Sequence, residues 1–232
     1  MESVECVTFT VHFTDEEAMR EIKLPLDLLD EMSEMIGRTR EAARPKAIFG
    51  RQSVEVLDER HVRIGEVVTE SRIMAVNLEK CDFGVTYVCT CGRELNDIAR
   101  AMPDPMEGFL QDALNEMVLR KAIEQLRELV QEKFGLYPIH AMAPGSLADW
   151  PLPRQADLFS TLEDVTGRIG VELNDSYLML PIKSVSGIFF TLEEEYVNCM
   201  LCPRETCQNR RAPYDLALLE GKYKGAETKF FT

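Results

Sequence analysis

Lys183-Ser-Val-Ser-Gly-Ile-Phe-Phe190 alternates small residues with β-branched and aromatic ones and reads as a strand. Proline and glycine set off similar short pieces across the last hundred residues: Pro138 to Ala143, Ser176 to Pro181 and Glu195 to Cys199. Short strands joined by turns predict an antiparallel sheet. Further upstream, Val7-Thr-Phe-Thr-Val-His-Phe13 places Val7, Phe9, Val11 and Phe13 on one face, the period-2 pattern of a half-buried strand. Ser53 to Val56 and His61 to Ile64 flank the polar turn Asp58-Glu-Arg60 as a hairpin, and Phe83 to Thr90 reads as a buried strand.

Helical spacing fills much of the rest. Leu28, Leu29, Met32, Met35 and Ile36 recur on one face of a segment from Leu26 to Arg40, and Ser71 to Leu78 and Arg93 to Met102 read as shorter helices. Asp104-Pro105 supplies an N-cap and a first-turn proline for a long helix reaching about Phe134. A further helix is expected between Asp149 and Leu162, entered through prolines, with Ala156, Phe159 and Leu162 on its core face. No interdomain linker or internal repeat interrupts this pattern, so residues 1–232 read as one domain with a strand-and-helix extension at 1–45.

Composition narrows the function classes. The 232 residues are 45% hydrophobic, enough to fill a core without disulfide staples. No apolar run reaches 18 residues, and Met1-Glu-Ser-Val-Glu-Cys6 has neither a basic region nor an apolar follow-on, so no membrane association is expected and the cytoplasm is the expected compartment. A formal charge of −14 argues against general nucleic-acid binding, leaving at most a small basic patch at Arg204, Arg210 and Arg211. His12, His61 and His140 are far apart in sequence, and no catalytic or phosphate-binding motif is present.

Three of the seven cysteines lie in Cys199-Met-Leu-Cys202-Pro-Arg-Glu-Thr-Cys207. A C-x2-C pair can direct two thiolates at one ion, and a third suits zinc or an iron–sulfur cluster. Cys199, Cys202 and Cys207 are therefore candidate metal ligands. A fourth ligand has to come from Cys6, Cys81, Cys89, Cys91, a histidine or a second chain. Free thiols and redox thiols are the other readings of the same motif. Cys89 and Cys91 sit at a strand-to-helix turn and share a face if the strand continues through both.

Ala143-Pro-Gly145, Asp149-Trp-Pro-Leu-Pro-Arg-Gln155, Ile169 to Ser176, Met179-Leu-Pro-Ile-Lys-Ser-Val-Ser-Gly187 and Tyr196 form an ordered series. It resembles the activation domain of vitamin B12-dependent methionine synthase and its stand-alone relatives, most clearly over residues 138–215. The resemblance implies an α+β fold, a twisted antiparallel sheet flanked by helices. It also implies S-adenosylmethionine bound in a shallow groove, near a corrinoid (cobalamin) held by a partner protein or methyltransferase and reduced by an electron donor. In that setting the domain is a methyltransferase component that supports reductive methylation.

The positions implied to hold cofactor are Pro144, Gly145, Ser184, Ser186, Gly187, Tyr196 and Val197. Lys183 could meet a corrinoid side chain or phosphate. Two family positions differ here: Ala141 stands where an arginine begins the proline-glycine motif, and Ser146 where a tyrosine follows it. Arg120 aligns with the acidic residue expected on the long helix. The cysteine cluster suggests the alternative of a metal or iron–sulfur protein in a corrinoid complex.

Overall fold

The computed structural model describes residues 4–204, 206–207 and 210–226. The strands are β1 (Glu5–Thr8), β2 (Lys46–Val56), β3 (His61–Ile64), β4 (Val67–Glu70), β5 (Phe83–Thr90), β6 (Ile139–Met142), β7 (Glu172–Leu173), β8 (Met179–Leu180) and β9 (Ser184–Thr191). The first five helices are α1 (Asp15–Glu21), α2 (Leu29–Ala42), α3 (Arg72–Asn77), α4 (Arg93–Ala101) and α5 (Pro105–Phe134). Three more follow: α6 (Gln155–Ser160), α7 (Val165–Ile169) and α8 (Leu216–Gly221).

Among the described residues, seven strands form one antiparallel sheet in the order β4-β3-β2-β5-β9-β6, with β1 also paired to β2. Along one edge the eleven-residue β2 serves two partners, β1 against Lys46 to Phe49 and β3 against Val54 to Val56, and along the other it pairs with β5. Alternation along the strands sorts the side chains between two cores. Ala47, Phe49, Val85, Tyr87, Cys89 and Phe189 face α5, meeting Ala122, Leu126 and Val130. Ile48, Val88, Ile188 and Phe190 face the other way, toward Met74, Trp150, Leu158 and Tyr223. Residues 4–45 are integral to this architecture: β1 is hydrogen-bonded into the sheet, and Met19 and Ile36 pack with Leu114 and Met117 of α5.

Local chemistry explains the boundaries. Thr14 and Glu17 form a capping box that starts α1, and the Asp104 carboxylate accepts from the Met106 and Glu107 amides to start α5. Gly135, with φ of 68°, ends α5 in the left-handed conformation that glycine adopts without strain.

The structure differs from sequence expectation at several places. The strand expected over Val7 to Phe13 ends at Thr8, as β1, although Phe9, Val11 and Phe13 beyond it stay buried on the expected alternation. Residues 195–199 are not a strand: Tyr196 and Val197 lead into a 3-10 helix, Asn198–Leu201. Of the piece from Ser176 to Pro181, only Met179–Leu180 is strand, and it pairs with β7 in a separate two-stranded sheet. The 149–162 segment opens with a 3-10 turn, Leu152–Arg154, before α6. That turn has three residues per turn rather than 3.6 and shifts the helical phase. Gln155 and Leu158 consequently point inward and Ala156 is exposed, while Phe159 is half-buried and Leu162 is buried as expected.

Candidate functional site

Three chain segments meet at one end of the sheet. The β5–β9 register places Thr90 opposite Ser184, and the β6–β9 register places Met142 opposite Ile188. The C-terminal end of β5 therefore lies beside the start of β9, and that of β6 beside its middle, with the β6 turn following toward the start. From β5 come Thr90, Cys91 and Gly92; from β6 comes the turn Ala143 to Ser146; Lys183 and Ser184 open β9.

The β6 turn carries Pro144 and Gly145. Gly145 has φ of 76°, its N–H donates to the Trp150 carbonyl at 2.8 Å, and a Cβ there would come within 3.0 Å of Leu152 Cδ1. Glycine suits both that backbone conformation and that contact. Ser146 then reaches across to the segment after β9: Asn198 Nδ2 donates to Ser146 Oγ at 2.8 Å, and Tyr196 Oη donates to Asn198 Oδ1 at 2.7 Å. This chain of bonds ties Tyr196 and Val197 to the proline-glycine turn.

The Tyr196 ring is buried among Phe190, His140 and Tyr223, and burial holds its hydroxyl well above the usual tyrosine range. His140 is structural: Nδ1 lies 3.1 Å from the Tyr196 carbonyl oxygen and Nε2 3.0 Å from that of Leu192. Val197 is half-buried beside them, and so is Ala141 on β6.

The serines of β9 are engaged within the protein. Ser184 Oγ lies 2.7 Å from Pro181 O and 2.9 Å from Thr90 Oγ1. Buried Ser186 donates to Gln155 Oε1 at 2.9 Å, and Gln155 Nε2 donates on to the Tyr177 carbonyl at 2.7 Å. Gly187 lies opposite Tyr87, whose ring stacks on Phe189 at 4.1 Å between centroids.

Beside the start of β9 is a cleft of about 230 Å³ between α4, α5 and the segment before the strand. Cys91, Asn96, Arg100, Asp112, Asn115 and Lys183 are among its lining residues. Lys183 Nζ lies 2.9 Å from Asp112 Oδ2 and 3.3 Å from Glu116 Oε2. Burial works against its charge, but the bonds and attraction of the two carboxylates win, so the ammonium is held above its ordinary value. Sequence reasoning missed this group. Its one sequence signal is the i,i+4 spacing of Asp112 and Glu116, which puts both carboxylates on one side of α5. Arg120, one turn further on, instead pairs with Glu21 at 3.2 Å.

The cysteines divide into two environments. Cys89 and Cys91 point to the α5 side, as the strand pattern predicts, and both are fully buried. Burial raises both thiols, Cys91 to about 12. Alkylation of the native protein at pH 8 is therefore expected to leave both unmodified, whereas all seven cysteines react after denaturation; mass mapping of the labelled peptides checks this. Cys199 and Cys202 are half-buried and Cys207 is exposed. Among the described residues no three His, Cys, Asp or Glu side chains are gathered to hold a metal ion, and Cys199, Cys202 and Cys207 are among the residues described. Among the described residues no helix is long and apolar enough to cross a membrane.

No protein-family model matches the sequence, and no curated protein matches it. Solved structures that are similar include the crystal structure of the MetH reactivation domain bound to AdoHcy, with a TM-score of 0.61 at 17% identity. The likeness covers 84% of this chain and 81% of that chain. This chain therefore shares the fold of the MetH reactivation domain, a mixed antiparallel sheet and helix architecture.

Proposed function

We propose that the chain is a reactivation component of corrinoid-dependent methyl transfer, binding an S-adenosyl ligand along the β6 edge and docking on a partner that carries the corrinoid. The observation that carries this reading is the shared fold with a reactivation domain bound to AdoHcy, over 84% of this chain. S-adenosylmethionine supplies a methyl group from its sulfonium when bound; the residues of this chain hold and orient it.

The local structure suits that task in specific ways. The missing side chain at Gly145 lets Leu152 pack against the Pro144–Gly145 turn, which holds the turn in one fixed conformation at the β6 edge. Tyr196 and Val197 run beside it, fastened through Asn198 to Ser146. Tyr196 acts by position: its ring is buried and its hydroxyl is bonded to Asn198, which fixes the backbone that leads into Val197. Ser184, Ser186 and Gly187 hold the strand that supports this edge through the contacts to Thr90, Gln155 and Tyr87. With Ala141 in place of an arginine, recognition of the ligand's charged end falls to the groups near the start of β9. There Asp112 and Glu116, rather than Arg120, supply the acidic side chains of the long helix.

Calorimetric titration with S-adenosylhomocysteine tests the reading. One-to-one binding is expected, together with a rise in Tm, because a ligand at 100 times its Kd adds about 2.7 kcal/mol. Gly145→Val is expected to weaken binding at least about tenfold, equivalent to about 1.4 kcal/mol. The absence of both a heat of binding and a Tm shift at saturating ligand overturns the proposal.

A further inference from the structure

The segments 199–204 and 210–212 have no part in the reactivation reading, yet they are closely tied to each other. The Cys202 N–H donates to the Cys199 carbonyl at 3.3 Å, closing the 3-10 turn. The Arg210 guanidinium donates to the carbonyls of Cys199 at 3.0 Å, Cys202 at 2.8 Å, Arg204 at 2.6 Å and Ala212 at 2.9 Å. A side chain thus gathers the backbone as a structural metal does in small cysteine loops. The Arg211 N–H donates to Cys199 Sγ at 3.4 Å and fixes the position of that sulfur.

A turn closed between residues i and i+3 holds its end Cα atoms within about 7 Å. A disulfide spans about 4.4–6.8 Å between Cα atoms. Cys199 and Cys202 are the two ends of such a turn, and both are half-buried rather than sealed in a core. Cys89 and Cys91, by contrast, are closed off from solvent.

We propose that Cys199 and Cys202 form a redox-active dithiol that exchanges with a small-molecule disulfide. The thiolate of one cysteine attacks the disulfide, breaking its S–S bond, forming a mixed disulfide and releasing one thiol. The second cysteine then attacks the mixed disulfide, forming the Cys199–Cys202 bond and releasing the other thiol. Two electrons pass from the dithiol to the small disulfide, and the two released thiols carry the two protons. The new bond ties together the ends of the turn directly after Asn198, the residue that joins Tyr196 to Ser146.

The test uses the wild-type chain equilibrated anaerobically with mixtures of reduced and oxidised glutathione, quenched by acid and alkylation, and digested with trypsin. The tryptic peptide covering residues 184–204 contains Cys199 and Cys202 and no other cysteine, so a bond between them appears as an unalkylated peptide lighter by two hydrogens. The oxidised fraction is expected to rise from about one tenth to about nine tenths across a roughly hundredfold change in the redox ratio, as a two-electron couple requires. Cys207→Ser is expected to behave like the wild type, and Cys202→Ser to lose the internal bond and accumulate the mixed disulfide. Failure of the peptide to oxidise at any ratio overturns the proposal, as does stoichiometric zinc or iron in protein isolated anaerobically that is lost in Cys199→Ser. Both results are independent of S-adenosylhomocysteine binding.

Discussion

Gly187→Ala is expected to lower stability by about 3 kcal/mol, the upper end of the usual cost of overpacking, read as a fall in the urea midpoint at unchanged m value. A Cβ on this residue would lie 2.5 Å from the Met142 carbonyl oxygen and 2.7 Å from Tyr87 Oη. Neither neighbour can retreat cheaply. Met142 is fixed by the β6–β9 ladder, and Tyr87 is buried and stacked on Phe189. Combining the change with Tyr87→Phe removes one of the two clashes and is expected to restore part of the loss. A wild-type midpoint for Gly187→Ala would show that the strands do not approach this closely. The glycine in Ser-Val-Ser-Gly187 is thus required first by packing, and its effect on ligand binding follows from the strand it keeps in place.

Asp149→Ala is expected to cost a similar amount, about 3 kcal/mol, because it strips an acceptor from buried donors. Asp149 Oδ2 accepts from Ser71 Oγ at 2.6 Å and from the Ile73 N–H at 2.9 Å, and both bonds are buried. Ser71 itself caps α3 by accepting from the Met74 N–H at 3.1 Å. Asp149 therefore ties the start of α3 to the segment that leads into α6. Asp149→Asn keeps the shape and a carbonyl acceptor and is expected to cost about half as much, since bonds to a charged group are the stronger kind. A double-mutant cycle with Ser71→Ala isolates the pair: a coupling below about 0.5 kcal/mol contradicts this account.

The parts of the fold legible in the sequence are those fixed by local chemistry. Asp104 and Pro105 mark the start of α5 because a carboxylate and a missing N–H suit a helix start whatever lies around it. β5 has the bounds its apolar run predicts, Phe83–Thr90, because it is buried along nearly its whole length. Residues 195–199 misled because tyrosine and valine favour strands, whereas the Asn198–Ser146 bond that anchors the segment joins positions 52 residues apart. The 3-10 turn before α6 misled for a different reason, since a phase shift of one residue cannot be seen in a hydrophobic pattern of two turns. The candidate site was legible only through ordered family motifs, which singled out Gly145 and Tyr196; the structure links Tyr196 through Asn198 to Ser146 beside Gly145. The Lys183 cluster was not, because its pairing depends on how α5 crosses the end of the sheet.

The placement of β9 between β5 and β6 also sets the order in which this chain can fold as it is synthesised. α5 depends on local contacts and can form as soon as it emerges, but β6 has no partner in the sheet until residues 184–191 follow it. Until then the edge of β5 that β9 will cover stands open, so a nascent chain of about 180 residues carries unpaired backbone beside an apolar face. The central pairing is therefore among the last to close, and truncations that stop short of β9 are expected to aggregate rather than to yield a smaller folded unit.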